Sequence, residues 1–404
     1  ERYPEAALHR ATEVIGLFVK PLHRLRQIAN DEGSRFQSEG FKRFFIMISA
    51  ELGDEYMRRV EEYLERLEFK NCILMSAELG SDCKGVNYIL RKSSEVRQSW
   101  FERLEGWVSE LAGRAEPALQ YEVDDRDEAG FRALRDLRVQ GVRHIASALE
   151  QSTDHILGFF TMLRLELGFY IGCLNLHEQM LRKQEPIYLP EPLPAGTPDF
   201  LCKGLYDICL SLRLRERAVG NDANCEDRPL VVITGANRGG KSTFLRGVGL
   251  AQLMMQCGMF VPAELFRANV CNGIFTHFKR EEDASMKSGK LDEELSRMSQ
   301  IVEAIAPGSI VLMNESFAST NEREGSEIAA QIVRALLRTG IKVFYVTHLF
   351  ALAEGFYRGG QRSALFLRAE RLADGQRTYR LLEGEPLPTS FGEDLYGRIF
   401  EAAD

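Results

Sequence analysis

The stretch Val231-Val-Ile-Thr-Gly-Ala-Asn-Arg-Gly-Gly-Lys-Ser-Thr243 constrains this chain more than any other part of it. Leu230 to Ile233, at its start, are all aliphatic and mostly β-branched, the composition of a buried parallel strand. Gly235, Gly240, Lys241 and Ser242 then match the spacing G-x-x-x-x-G-K-[ST], and Phe244 to Gln256 continues as an apolar-rich helix. Strand, glycine loop and helix in that order make a phosphate cradle. The glycines let consecutive N–H groups turn inward on a β-phosphate, and the helix N-terminus adds its partial positive charge. Lys241 is expected to reach the β- and γ-phosphate oxygens, and the Ser242 hydroxyl to ligate Mg²⁺. A plain strand–turn–helix that happens to carry Gly-Lys-Ser is the competing reading, and motifs further along weigh against it.

The chain has 404 residues, enough for two or three domains with proper cores. Its 45% hydrophobic and 27% charged residues describe an ordinary soluble globular protein. It begins at Glu1 rather than a methionine and so reads as a piece of a longer protein. Eight cysteines are scattered with no C-x-x-C pattern, which suggests buried thiols in a reducing compartment rather than disulfides or a zinc site. Ile156 to Leu176 is the most apolar stretch, but Arg164 and Glu166 interrupt it, so it reads as a core helix and not a membrane span. No signal peptide is visible, and a cytoplasmic location is expected. A net charge of −8 gives no general attraction to nucleic acid, so any DNA contact must be local or supplied by a partner.

Residues 1 to about 200 read as almost wholly helical. Tyr56, Val60, Tyr63, Leu64 and Leu67 recur at helical spacing, as do Trp100, Leu104, Trp107, Val108 and Leu111. The polar, acidic run between Gly113 and Gly130 suggests a loop at the end of a helical hairpin, after which Phe131 to Leu149 and Ile156 to Lys183 resume the pattern. Phe41-Lys-Arg-Phe-Phe45 mixes aromatic and basic residues, and fits the packed face of a helix better than a nucleic-acid patch. Five prolines between Pro186 and Pro198 mark a linker or an irregular edge, and a domain boundary is placed there, with residues 1–195 before it and 196–404 after. Beyond it, Val231–Thr234, Ser309–Met313, Ile341–Thr347, Ala364–Arg368 and Thr378–Leu382 read as strands. Helical stretches separate the first three, the pattern of a doubly wound α/β sheet.

Ser309-Ile-Val-Leu-Met-Asn-Glu315 is a hydrophobic strand ending in an acidic residue, the form of a Walker B motif. Glu315 stands where P-loop ATPases hold the carboxylate that polarises the attacking water, and Asn314 stands where an Asp normally holds Mg²⁺. His348 ends the strand Val343-Phe-Tyr-Val346, a place for a γ-phosphate sensor.

These motifs and their wording resemble the ATPase domain of MutS proteins. Thr234-Gly-Ala-Asn-Arg-Gly-Gly-Lys-Ser-Thr243, Gly258-Met-Phe-Val-Pro-Ala263 and Ile274-Phe-Thr276 carry the likeness, which continues through Glu315-Ser-Phe-Ala-Ser-Thr320, Val346-Thr-His348, Tyr379-Arg-Leu-Leu-Glu-Gly384 and Ser390-Phe-Gly392. It covers the span from Asn221 to Tyr396, and more weakly residues 1–200 are similar to the helical core and lever of that family. The resemblance implies an α/β P-loop NTPase domain of the ABC class preceded by a mostly helical domain. It also implies ATP and Mg²⁺ as cofactors, with Gly235, Asn237, Gly239, Gly240, Lys241, Ser242 and Thr243 cradling the phosphates. Glu315, Lys241 and His348 are the implied catalytic residues, with Ser242 and Asn314 at the metal. A dimer with two composite sites is implied, in which Lys287-Ser-Gly-Lys290, through Ser288 and Gly289, completes the neighbour's site; Ser288 reads equally well as a plain helix cap. Ser319, Thr320 and Asn321 would lie at the subunit interface.

Three features depart from the family pattern. Asn314 replaces the Walker B Asp, Ala218-Val-Gly-Asn-Asp222 lies where an aromatic usually stacks on adenine, and no N-terminal mismatch-reading domain with a Phe-x-Glu wedge is found. Phe391-Gly-Glu393 matches those letters but in the wrong domain. The first functional reading is a MutS-like ATPase acting on DNA in mismatch repair or recombination, as a homodimer or with a MutS-like paralogue. The alternative is an ATP-binding regulatory or scaffold subunit that heterodimerises with an active paralogue and hydrolyses little. An ABC-type motor unrelated to DNA is the weakest of the three.

Overall fold

The computed structural model describes residues 4–67, 75–79, 85–90, 128–196, 199–279, 289–359 and 364–387. Two compact units divide the chain between Gly168 and Phe169.

In the first unit, helices α1 (Pro4–Glu32), α2 (Glu39–Glu51) and α3 (Asp54–Leu67) pack through Leu22, Ala29, Phe45, Ile48, Leu52 and Met57. Ser38 caps α2 by accepting from the Phe41 N–H, the usual use of a serine at that position. Phe45 is buried, with Phe41 stacked on it and Phe36 tilted against it, so Phe41–Phe45 is the packed face of a helix as its spacing suggested. One 55-residue helix, α4 (Glu128–Arg182), follows. Phe160 of α4 stacks on Phe18 with ring centroids 5.3 Å apart.

Two expectations for this region need correction. It is not almost wholly helical: β1 (Met75–Leu79) and β2 (Gly85–Leu90) form an antiparallel hairpin, with Met75 opposite Leu90 and Leu79 opposite Gly85. Both strands are short and mix apolar with polar residues around a Gly-Ser-Asp sequence, a weaker signal than the helical runs on either side. Nor is the apolar stretch of α4 a core helix among the described residues: Leu165 is 60% and Leu174 68% exposed. By length and composition, Ser147–Arg182 is the one helix among the described residues apolar enough to cross a membrane. The expected helix of Trp100 to Leu111 lies outside the described residues.

The second unit is built on a six-stranded sheet. Its order is β11 (Arg377–Glu383), β10 (Ala364–Arg371), β5 (Leu230–Gly235), β9 (Lys342–Val346), β8 (Ile310–Asn314) and β7 (Ile274–Phe278). All neighbours run parallel except β11, which is antiparallel to β10. The five expected strands are all present; β7 adds to them.

Alternate residues of the central strands feed two cores, one on each face, as a parallel sheet requires. Val231, Ile233, Leu312, Phe344 and Val346 face one side with α6 (Lys241–Gln256) and a three-stranded antiparallel sheet of β4 (Asn221–Asn224), β3 (Phe200–Leu205) and β6 (Leu265–Ala268). Leu230, Val232, Val311, Met313, Val343 and Tyr345 face the other side with α7 (Lys290–Ala304), α8 (Glu322–Arg338) and α9 (Phe350–Arg358). The short α5 (Ile208–Arg213) lies between β3 and β4 in sequence.

The proline-rich stretch belongs to the second unit. It forms an irregular edge, where Tyr188 and Val261 exchange backbone hydrogen bonds of 3.0 and 2.7 Å, and further along Leu193 bridges Asn269 in parallel, donating to Ala268 O and accepting from the Val270 N–H, both at 3.0 Å. Proline cannot serve a central strand but can run along an edge, which is where these lie.

Candidate nucleotide-binding site

The register sets the site. Ile233, Val346 and Asn314 lie level across β5, β9 and β8, so the loops after these three parallel strands meet at one end of the sheet. Crevices at the carboxyl ends of parallel strands are where open α/β sheets bind ligands.

The loop after β5 curls as its glycines allow. Gly235 has φ 102°, and a Cβ there would sit 2.8 Å from the Ala369 backbone nitrogen, so only glycine fits between β5 and β10. Gly240, at φ 89°, turns the chain into α6, whose first residue is Lys241. Gly239 donates its N–H to Ala236 O at 3.2 Å, and Asn237 O accepts from Arg377 Nε at 3.3 Å. The Lys241 ammonium is buried and donates to Gly235 O and Ala236 O, both at 2.9 Å. Burial lowers its pKa to about 8, partly offset by the Glu315 carboxylate, while Arg377 lowers it further. Thr243 lies in the first turn of α6.

Ser242 donates its hydroxyl proton to Asn314 Oδ1 at 2.8 Å. An expected metal pair is thus brought together from positions 72 apart in sequence. Both offer hard oxygen atoms, and the proton of Ser242 is already directed away, leaving its lone pairs free. Among the described residues there is no group of three or more His, Cys, Asp or Glu side chains that could cage a metal. That donor set fits Mg²⁺, which keeps most of its shell for water and phosphate, and fits a softer ion poorly.

Glu315 follows directly, with φ 54°, its backbone N–H held by Val346 O at 2.8 Å. Its Oε1 lies 3.0 Å from His348 Nε2. The hydrogen bond from His348 is the largest influence holding the Glu315 carboxyl below its usual pKa, with burial opposing it. Glu315 is therefore ionised at neutral pH and able to accept a proton from water. The expected catalytic group of Lys241, Glu315 and His348 forms one cluster.

Other expected residues fall differently. Gly289 caps the start of α7 without a side-chain bond, and Ser288 lies outside the described residues, as does Ser390-Phe-Gly392. Ser319, Thr320 and Asn321 are engaged within the chain, with Glu294, with Glu324 Oε2 and as the cap of α8 through the Glu324 N–H.

Three residues have a place beside the glycine loop that the sequence reading missed, although it quoted Asn221 and Tyr379 within longer stretches. Asn221 on β4 donates to Tyr379 O at 3.2 Å and accepts from the Leu381 N–H at 2.6 Å, so its amide extends the edge of β11. Tyr379 thereby sits at φ 60°, half exposed, with its carbonyl 3.5 Å from where a Gly240 Cβ would be. Arg377 lies beside the phosphate loop. An aromatic in an alternating strand gives no hint of that position. Flanking Tyr379, Thr378 and Arg380 line a cavity of about 480 Å³ with Tyr206, Arg217, Ala218 and Gly220.

A glycine loop feeding a helix, a Ser–Asn pair of oxygen donors and an ionised carboxylate on a histidine meet at the ends of parallel strands, the arrangement of an α/β class of protein whose crevice suits a phosphate ligand. Family models narrow this class. The MutS2 N-terminal domain matches residues 1–183 and MutS domain V matches residues 231–393, and the chain belongs to the MutS family. An Endonuclease MutS2 of Ligilactobacillus salivarius is 29% identical over 300 residues, covering 72% of this chain and 36% of that protein. A DNA mismatch repair protein MutS of Thermotoga petrophila is 37% identical over 143 residues, 35% of this chain and 18% of the other. The Endonuclease MutS2 of Lacticaseibacillus casei is 32% identical over 258 residues, 63% and 32% of the two chains. The chain thus spans about a third of the length of the MutS2 relatives it matches.

Proposed function

We propose that the chain binds Mg²⁺–ATP in this crevice and hydrolyses it slowly, acting on DNA in repair or recombination as a homodimer or with a MutS-like paralogue. The observation that carries the reading is the convergence of Lys241, Ser242, Asn314, Glu315 and His348 at the ends of three parallel strands. Lys241 neutralises the terminal phosphates, Ser242 and Asn314 orient the metal, and Glu315 takes a proton from water held against the γ-phosphate. The nucleoside extends toward the cavity beside Tyr379. ATP supplies the anionic charge that Asn314 lacks. Functionally the chain divides into a helical core and lever, 1–195, and an ATPase domain, 196–404, of the ABC class.

The action on DNA is supported by the names of the relatives, which include a DNA mismatch repair protein and an endonuclease. We place the protein in the cytoplasm and off the membrane: the MutS2 N-terminal model takes in the whole apolar helix, and Arg164 and Glu166 interrupt it. The second reading, an ATP-holding scaffold subunit, is favoured by Asn314 and by the net charge of −8.

Single-turnover hydrolysis across a Mg²⁺ titration, with and without duplex, mismatched and branched DNA at two salt concentrations, tests both readings. We expect slow cleavage, a Mg²⁺ midpoint that Asn314→Asp lowers, and DNA stimulation that weakens steeply with salt. ATP held but never cleaved at high Mg²⁺ selects the scaffold, and no ATP binding at all defeats both.

A further inference from the structure

Glu294, in the second turn of α7, is 2% exposed, and both of its side-chain oxygens accept from neutral donors. Its Oε2 accepts from the Phe317 N–H at 2.6 Å, and its Oε1 from the Ser319 hydroxyl at 2.8 Å. Its backbone carbonyl faces His277 Nε2 at 2.9 Å, so that nitrogen carries a proton. The other ring nitrogen of His277 lies 2.7 Å from Ser316 Oγ, and the ring stacks on Phe317 at 5.3 Å. Tyr345 closes the set by donating to Ser316 O at 2.6 Å.

These contacts converge on one short loop, the residues that follow the Walker B strand. Two of them, Glu315 at φ 54° and Phe317 at φ 62°, lie in the left-handed region, which side chains larger than glycine avoid. Such a loop relaxes unless its surroundings hold it. A carboxylate buried on neutral donors is a costly way to gain stability, so its value here is geometric. Phe317 N–H and Ser319 Oγ are the two points at which the far side of the loop is held, and Glu294 holds both.

We propose that Glu294 is the positioning residue for Glu315: it locks the loop after β8 in its left-handed form and so aims the Glu315 carboxylate at His348 and the γ-phosphate position. The inference rests on the reading of Glu315 as the residue that accepts a proton from water. Glu294 bonds to Phe317 and Ser319 and not to Lys241, Ser242 or Asn314, so its removal spares binding and strikes turnover. It also makes helix α7 part of the hydrolytic machinery, since any displacement of that helix moves the loop.

The test compares Glu294→Ala, Glu294→Gln and Ser319→Ala by the affinity for a fluorescent ATP analogue with Mg²⁺, single-turnover hydrolysis, and amide hydrogen exchange of residues 316–320. In Glu294→Ala, hydrolysis is expected to fall about 10- to 100-fold, the loss of hydrogen bonds to a charged group, with affinity changed by less than about threefold. Exchange at 316–320 rises while that of 235–243 does not. Gln can still accept from the Phe317 N–H and can donate to Ser319 Oγ, so it recovers most of the rate. Should the alanine variant not fold, Ser319→Ala, which removes one of the two contacts, must move rate and exchange in the same direction by a smaller factor. Unchanged exchange at 316–320, or a loss of affinity as large as the loss of rate, overturns the proposal. If the unaltered protein binds ATP without cleaving it, the hydrolytic reading fails separately, and the exchange data still decide whether Glu294 holds the loop.

Discussion

Lys241 shows how one residue links burial to ligand binding. Its ammonium is buried over two carbonyls, and that desolvation brings its pKa down to about 8. Below pH 8 it is charged before nucleotide arrives; above pH 8 it is mostly neutral. Triphosphate favours the charged form and raises the pKa, so binding above pH 8 must take up a proton. ATP affinity is therefore expected to be flat from pH 6.5 to 7.5 and to weaken above pH 8 by up to about tenfold per pH unit. Calorimetry at pH 9 in buffers of different ionisation enthalpy reads the proton uptake directly. Lys241→Ala should lose about 10- to 100-fold in affinity and abolish the uptake, while the melting temperature holds. An affinity independent of pH up to 9.5 would contradict the burial argument.

At the scale of elements, the phosphate loop depends on how closely β5 approaches β10. A Cβ on Gly235 meets the Ala369 backbone at 2.8 Å, and its φ of 102° lies where other residues are strained. Gly258 also has positive φ, 73°, but nothing lies within 4 Å of a Cβ built there. Gly258→Ala should cost only the backbone strain, about 1 kcal/mol, whereas Gly235→Ala adds a clash with main chain and should cost about 2–4 kcal/mol. For a unit of this size the second is a fall in Tm of roughly 5–12 °C. Equal melting temperatures for the two variants would show that the strands part more easily than their pairing implies. The strands themselves were readable in the sequence: a strand buried on both faces is a continuous apolar run, and Leu230–Ile233, Ile310–Met313 and Val343–Val346 are such runs. The β1–β2 hairpin was not, because short strands of mixed polarity lack that signature beside long amphipathic helices.

For the whole molecule, the composite site that the family resemblance implies predicts that association depends on nucleotide. Glu315→Gln keeps the shape of the side chain but removes its basicity, so ATP should persist and trap a dimer. Sedimentation at micromolar concentration is expected to show a larger dimer fraction for this variant with ATP than without, and a monomer under saturating ATP counts against shared sites. By itself the sequence determined the glycine loop between strand and helix, the buried strand before Glu315, the α/β class of the second half and the family, because each lies in consecutive residues whose chemistry is local. Only the tertiary structure decided which distant groups meet. Ser242 finds Asn314 and Glu315 finds His348 because parallel pairing sets Ile233, Val346 and Asn314 level, and Asn221 holds Tyr379 beside Gly240 because β4 of the smaller sheet meets β11. Glu294 was unremarkable among the acidic residues at the start of α7 until packing buried it under the loop it holds. Strand order and register follow from cores filled on two faces at once, a long-range condition that no short stretch of sequence expresses.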